Sequence, residues 1–140
     1  MSTRFGRRAL PWVLALYAAA TVLHFAHNAE FLAQYPNLPP SWSRVDVYVA
    51  WFCLTTLGLT GCLAYYSGRH GTGLAMLTLY AALGFAGLLH YTRAPLAHHS
   101  VAMNLTILAE AAAASLLMID LAMLWRGVPR SAATWVMRRR

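Results

Sequence analysis

Three of the six histidines and one of the four acidic residues fall in a single run, His90-Tyr91-Thr92-Arg93-Ala94-Pro95-Leu96-Ala97-His98-His99, continuing through Met103-Asn104 to Glu110. A second polar stretch, His24-x2-His27-x2-Glu30, stands near the start of the chain. Imidazole is the commonest metal ligand and the usual proton carrier near neutral pH. A metal site needs three or four donors that converge. His24, His27, His90, His98 and His99 can supply them if the intervening chain brings both stretches to one depth, and copper, iron or zinc would be the metal. Haem is a variant of this reading. His24 and His90 would ligate iron from opposite helices, with Gly84 and Gly87 leaving room for the porphyrin.

Glu110 admits a different chemistry. It lies near the middle of an apolar run, where an acidic side chain costs about 2.5–3.5 kcal/mol on insertion scales. A carboxyl in that position is a candidate proton acceptor, a metal ligand or a partner to a histidine. The structural alternative is a protonated carboxyl that hydrogen-bonds a neighbouring hydroxyl and locks helices together. Asn28, Glu30, Asn104 and Thr106 are placed to orient such groups, although both asparagines are equally suited to interhelical hydrogen bonding. Met103 is a soft ligand for copper or, more simply, a packing residue. Asp46 suits the first turn of a helix, where it complements the dipole. Asp120 sits where it would reach Arg126 or lipid headgroups.

The elements that must carry these residues are apolar helices. Hydrophobic residues make up 59% of the chain and charged residues 11%, against about 25% charged in an ordinary soluble domain. Such a composition implies a lipid solvent. It predicts an all-α, integral membrane four-helix bundle, up-down-up-down, forming a single domain over residues 1–140. The spans are expected at about 9–33, 44–66, 72–91 and 97–125, each long enough for a ~30 Å hydrocarbon core. Pro11 falls in the first turn of the first span, where its missing N–H is harmless. Ala18-Ala19-Ala20 also resembles a signal-peptide cleavage site, but the helical pattern continues past it to Phe31-Leu32. Pairs such as Gly58-x2-Gly61 and Gly84-x2-Gly87, and the run Ala111–Ala114, suit close helix approach. Cys53 and Cys62 fall on opposite faces of one helix, so no disulfide is expected between them.

All eleven basic residues are arginines, and the net charge is +7. In a soluble protein this would suggest nucleic acid. Here nine of them lie at the two ends and at Arg69, leaving only Arg44 and Arg93 in the other two connections. The positive-inside rule then places both termini in the cytoplasm of a bacterial inner membrane, with the two longer connections outside. Residues 126–140 would be a basic cytoplasmic tail on the anionic membrane surface. His24, His27, Glu30, His90, His98 and His99 all then belong to the outer half. On helical spacing, Tyr17, Thr21, His24, His27 and Asn28 share a sector, as do His99, Met103, Thr106 and Glu110.

The segment His90-Tyr91-x3-Pro95-x2-His98-His99-x3-Met103-Asn104-x-Thr106-Ile107-x2-Glu110 resembles one in small bacterial four-helix membrane proteins of no assigned function. With Leu23-His24-x2-His27-Asn28 and Pro39-Pro40-x-Trp42, the likeness covers most of the chain and implies a fold without an activity. A fainter similarity links the chain to the emopamil-binding group of sterol isomerases, which use histidine and glutamate in a membrane cavity to move a double bond. That resemblance would make His24, His27 and Glu110 the acid/base residues, although the spacing of the acidic residues departs from that group.

Three functions are therefore expected in competition. One is a metal or haem site at the outer face, serving redox chemistry or metal handling, and the histidine count favours it slightly. The second is an acid/base enzyme acting on a lipid or isoprenoid. The third is a non-catalytic accessory subunit that meets other membrane subunits. The partners common to all three are the lipid bilayer and not nucleic acid.

Overall fold

The computed structural model describes residues 2–128, with side chains from Ala9 onward. The described residues are helical, with no strand. The long helices are α1 (Ser2–Glu30), α2 (Arg44–Tyr66), α3 (His70–Leu83) and, after the short α4 (His90–Arg93), α5 (Val101–Trp125). Four segments are long and apolar enough to cross a membrane: Ala9–Glu30, Arg44–Tyr66, His70–Arg93 and Val101–Trp125. The expected basic tail lies outside the described residues beyond Val128.

α1 packs along α5 and α2, and α3 packs along the same two helices. Each long helix thus has two neighbours, and the four close into a ring. The glycines set how near they come. A Cβ at Gly73 would run into the backbone of Tyr65, and one at Gly84 into the Tyr17 hydroxyl. At Gly58 it would lie 2.8 Å from the Tyr80 ring, and at Gly61 3.1 Å from Leu77. Helix association in lipid depends on such close packing, because apolar burial alone distinguishes poorly between a neighbour and a lipid tail.

The helix ends are locally encoded. Ser43 and Asp46 form a reciprocal capping box at the start of α2, which places Asp46 in the first turn as the sequence predicts. At the other end Gly68 adopts φ +90°. The amide of Arg69 donates to Ala64 O at 3.0 Å and that of Gly68 to Tyr65 O at 3.2 Å. That pairing is a Schellman stop, in which glycine supplies the left-handed residue. Ser100 caps α5 by accepting from the Met103 amide.

Several boundaries differ from the sequence reading. The first helix stops at Glu30, and Leu32–Gln34 form a single 3-10 turn. Pro11 lies inside α1 rather than in its first turn. The fourth helix begins at Val101, because Pro95 and the Ser100 cap keep residues 96–98 in a separate 3-10 turn. The largest difference is in the third segment, expected as one helix over 72–91. It is broken: α3 ends at Leu83, Ala86–Leu89 form a 3-10 turn, and α4 starts at His90. Gly84 and Gly87 explain the break, since each lowers helix propensity by about 1 kcal/mol relative to alanine. The Tyr17 ring occupies the space that a side chain at Gly84 would need.

Two apolar clusters result. The larger gathers Leu10, Tyr17, Leu74, Leu77, Ala114, Leu117 and Leu121, among others. The smaller contains Tyr35, Met103 and Ile107, which makes Met103 a packing residue. Along both α1 and α5 the buried polar residues His24, Asn28 and Glu110 fall between these clusters. Asp120 is also buried, at 3% exposure. It faces the bundle instead of reaching Arg126 or headgroups, because it shares the sector of Leu117, Leu121 and Leu124.

Candidate functional site

The polar layer is assembled from three elements. α1 contributes His24 and, one turn later, Asn28. The broken third segment contributes Gly87 and His90. α5 and the turn before it contribute Glu110 and His99. All five polar side chains are buried.

Its centre is the contact between His24 Nε2 and Glu110 Oε2, at 3.7 Å, with side-chain exposures of 3% and 2%. That separation is too long for a hydrogen bond, so the pair is adjacent without being joined. Gly87 faces both groups. A Cβ there would stand 3.3 Å from His24 Nε2 and 3.4 Å from Glu110 Oε2. The bare α-carbon therefore lets the third segment pack closely against both groups.

His90 extends the layer outward. Its ring lies 5.8 Å from that of His24 and 6.3 Å from that of His99, centroid to centroid. His90 Nε2 meets the Asn28 side-chain amide at 3.2 Å. His99 Nδ1 donates to the Pro95 carbonyl at 3.1 Å, which leaves Nε2 as its acceptor nitrogen. Each of these three rings thus has one nitrogen in contact with another group and one that is bare. His24 Nδ1, His90 Nδ1, His99 Nε2, Asn28 Oδ1 and both Glu110 oxygens are buried with no hydrogen-bond partner among the described residues. Each such buried group costs about 1–3 kcal/mol if nothing satisfies it.

The other sequence candidates are distributed around it. His27 is half-buried, and its Nδ1 is 3.0 Å from the Tyr35 hydroxyl. His98 is exposed. Glu30 accepts from Arg44 at 2.7 Å and from the Tyr48 hydroxyl at 2.7 Å, which ties α1 to α2 and removes it from the cluster. Asn104 accepts from Tyr91 at 2.9 Å and donates to the Leu96 and His99 carbonyls, holding the turn that presents His99. Thr106 donates to the Met103 carbonyl. Cys53 and Cys62 are free thiols.

Tyr35 is the residue that sequence reasoning missed. It sits in the proline-rich connection, where no periodicity marks it, yet it is only 4% exposed. Its ring lies 4.8 Å from His90 and 5.9 Å from His27. Burial holds its phenol up at about 12, against an ordinary value of 10.0, while the Thr106 hydroxyl pulls it back down.

His90 neighbours both His24 and His99. Among the described residues, no three His, Cys, Asp or Glu side chains are grouped so as to hold a metal ion. His24 Nε2 adjoins Glu110 and His90 Nε2 adjoins Asn28. Comparison with protein-family models, with curated proteins and with solved structures finds no match to this chain.

Proposed function

We propose that this chain is a multi-pass protein of the bacterial inner membrane in which His24 and Glu110 form an acid/base pair acting on an apolar, membrane-dissolved substrate, a lipid or an isoprenoid. One observation carries the reading: a carboxyl and an imidazole at 3.7 Å, both enclosed, with the bare α-carbon of Gly87 packed against the two. In the reaction that suits this pair, the Glu110 carboxyl gives its proton to one alkene carbon. His24 Nε2 removes a proton from a carbon next to the resulting cation, and the double bond moves. The proton then returns from His24 to Glu110, so atoms and charges balance with no oxidant or reductant. A water-poor surrounding strengthens both transfers, because nothing else competes for the proton.

Contacts along the helices support an up-down-up-down course. Tyr17 meets Tyr80, and His24 meets His90, so numbers rise together on the first and third segments. Gly61 meets Leu77 and Gly73 meets Tyr65, so they run opposite on the second and third. Trp125 reaches Thr78, while Asn104 reaches Tyr91. Arginine placement favours cytoplasmic termini.

The test is comparative lipid analysis of cells making the wild type or Glu110→Gln. A lipid species whose double-bond position depends on Glu110 is the expected result. Indistinguishable profiles would instead favour an accessory subunit whose polar layer only fixes its helices. A second reading is favoured by the bare nitrogens of His24, His90 and His99. A copper, iron or zinc ion would draw them together, with Glu110, Asn28 and the Pro95 carbonyl orienting the rings from behind. Elemental analysis of detergent-purified protein separates the two, since acid/base chemistry requires no stoichiometric metal.

A further inference from the structure

The His24–Glu110 pair is enclosed, so any proton it exchanges with water must pass through other buried groups. Toward the far end of the bundle the interior is apolar, filled by Leu74, Leu77, Ala114, Leu117 and Leu121. The hydroxyls of Tyr17 and Thr21 on that side donate to the Tyr80 and Ala18 carbonyls, at 2.9 and 2.8 Å. The next buried carboxyl on α5 is Asp120, roughly 15 Å further along at 1.5 Å per residue.

The opposite direction is lined with imidazole. His90 neighbours His24 at 5.8 Å and His99 at 6.3 Å between ring centroids. All three rings are buried, and each keeps one nitrogen without a partner among the described residues: Nδ1 of His24, Nδ1 of His90 and Nε2 of His99. His99 lies just beneath the surface, since Pro95, Leu96, Ala97, His98 and Ser100 beside it in the chain are exposed. The other titratable or charged groups about His90 are engaged elsewhere. Tyr35 and Tyr91 place their hydroxyls on His27 and Asn104, and Arg93 donates to the Asn37 carbonyl.

We infer that His99 and His90 form a proton relay connecting the His24–Glu110 pair to water at the end of the bundle that is outermost in the proposed orientation. The use made of the proton rests on the acid/base reading; the path rests on the ring geometry alone. Imidazole suits the task because it binds and releases protons near neutral pH. The χ2 torsion of histidine is broad, so rotation of the His90 ring carries its bare nitrogen between the two neighbours. Hydronium gives a proton to His99 Nε2 while the Nδ1–H stays on the Pro95 carbonyl. That proton passes to His90 Nδ1 and then to His24 Nδ1, and His24 releases the proton on Nε2 to the Glu110 carboxylate, 3.7 Å away. Only N–H and O–H bonds are exchanged, and the return passage restores the tautomer of His24.

The test is infrared spectroscopy of full-length protein in phosphatidylcholine vesicles transferred into deuterium oxide. The acid carbonyl band that Glu110→Gln removes is followed as its proton is replaced by deuterium, with the amide hydrogens of the same sample as reference. His90→Phe keeps an aromatic ring and is expected to slow that replacement roughly tenfold or more relative to the amides, because exchange then waits on local opening. His99→Ala is expected to slow it too, and added imidazole to restore the rate. His27→Ala should leave it unchanged. A variant that merely loosened the bundle would speed both exchanges, so damage to the fold does not imitate the expected result. The relay is overturned if the wild-type rate survives His90→Phe, if imidazole fails to rescue His99→Ala, if His27→Ala slows exchange equally, or if Glu110 gives no acid band. Because the exchange needs no turnover, a relay established alongside unchanged lipid profiles would defeat the acid/base reading alone. A Glu110-dependent lipid change with exchange insensitive to His90→Phe would defeat the relay alone.

Discussion

At the scale of single residues, the arrangement turns on what Glu110 touches. Its oxygens accept no hydrogen bond among the described residues, so Glu110→Gln, with nearly the same shape, should leave the thermal melt close to wild type. Glu110→Ala removes the side chain and opens a hole beside His24. A loss of about 2–3 kcal/mol is expected from a cavity of that kind. Equal losses for both variants in a detergent melt would show that the charge-bearing group itself is structural. Tyr35 gives a prediction in pH. Its phenol is held near 12 in the folded protein against 10.0 ordinarily, so the fold favours the protonated form. The resulting stability is complete below pH 10 and is lost as the pH rises through 12. Tyr35→Phe should make the alkaline decline shallower by this residue's share, measured as melting temperature across this window.

At the scale of elements, the polar layer is held in place by glycines and caps. Gly73→Ala would force a methyl group into the Tyr65 backbone, whereas nothing lies within 4 Å of a Cβ at Gly71. The first substitution is expected to separate α2 from α3 and cost about 3 kcal/mol or more, at the upper end for overpacking. Gly71→Ala should be neutral or slightly stabilising, and paired melts check both. Gly87→Ala tests the broken third segment. Its new methyl would press on His24 and Glu110 together, so the fold should persist while any Glu110-dependent lipid change disappears. A continuous helix through residues 84–89 would rotate His90 away from Asn28, which is why the interruption matters to the site.

At the scale of the whole molecule, the bundle carries one polar layer between two apolar clusters. α5 forms the long wall of this arrangement, and Glu110 stands roughly 14 Å from its Val101 end at 1.5 Å per residue. A topology experiment follows from the proposed orientation. Cysteine introduced at His98, in the Cys53→Ser and Cys62→Ser background, should react with an impermeant maleimide added outside intact spheroplasts. Cysteine at Arg69 should react only after lysis. The reverse pattern would invert the bundle and place the histidine layer toward the cytoplasm.

The sequence by itself determined the four apolar spans, because apolar runs of this length have few stable forms and the second span, 44–66, is bounded by its own capping serine and stop glycine. It also selected the polar residues that are buried together, since His24, Asn28 and Glu110 each repeat at helical spacing on an inward face. Only the tertiary structure decided how those residues meet. It placed Glu30 on Arg44 and Tyr48 rather than among the histidines, left His98 exposed and set His90 beside both His24 and His99. It also brought Tyr35 in from a connection with no pattern to announce it. The physical reason is that helical periodicity fixes the direction of a side chain about its own axis. The rotation and depth of each helix, and the fold of a non-helical loop, are set by close approach to other helices, here at Gly73, Gly84 and Gly87.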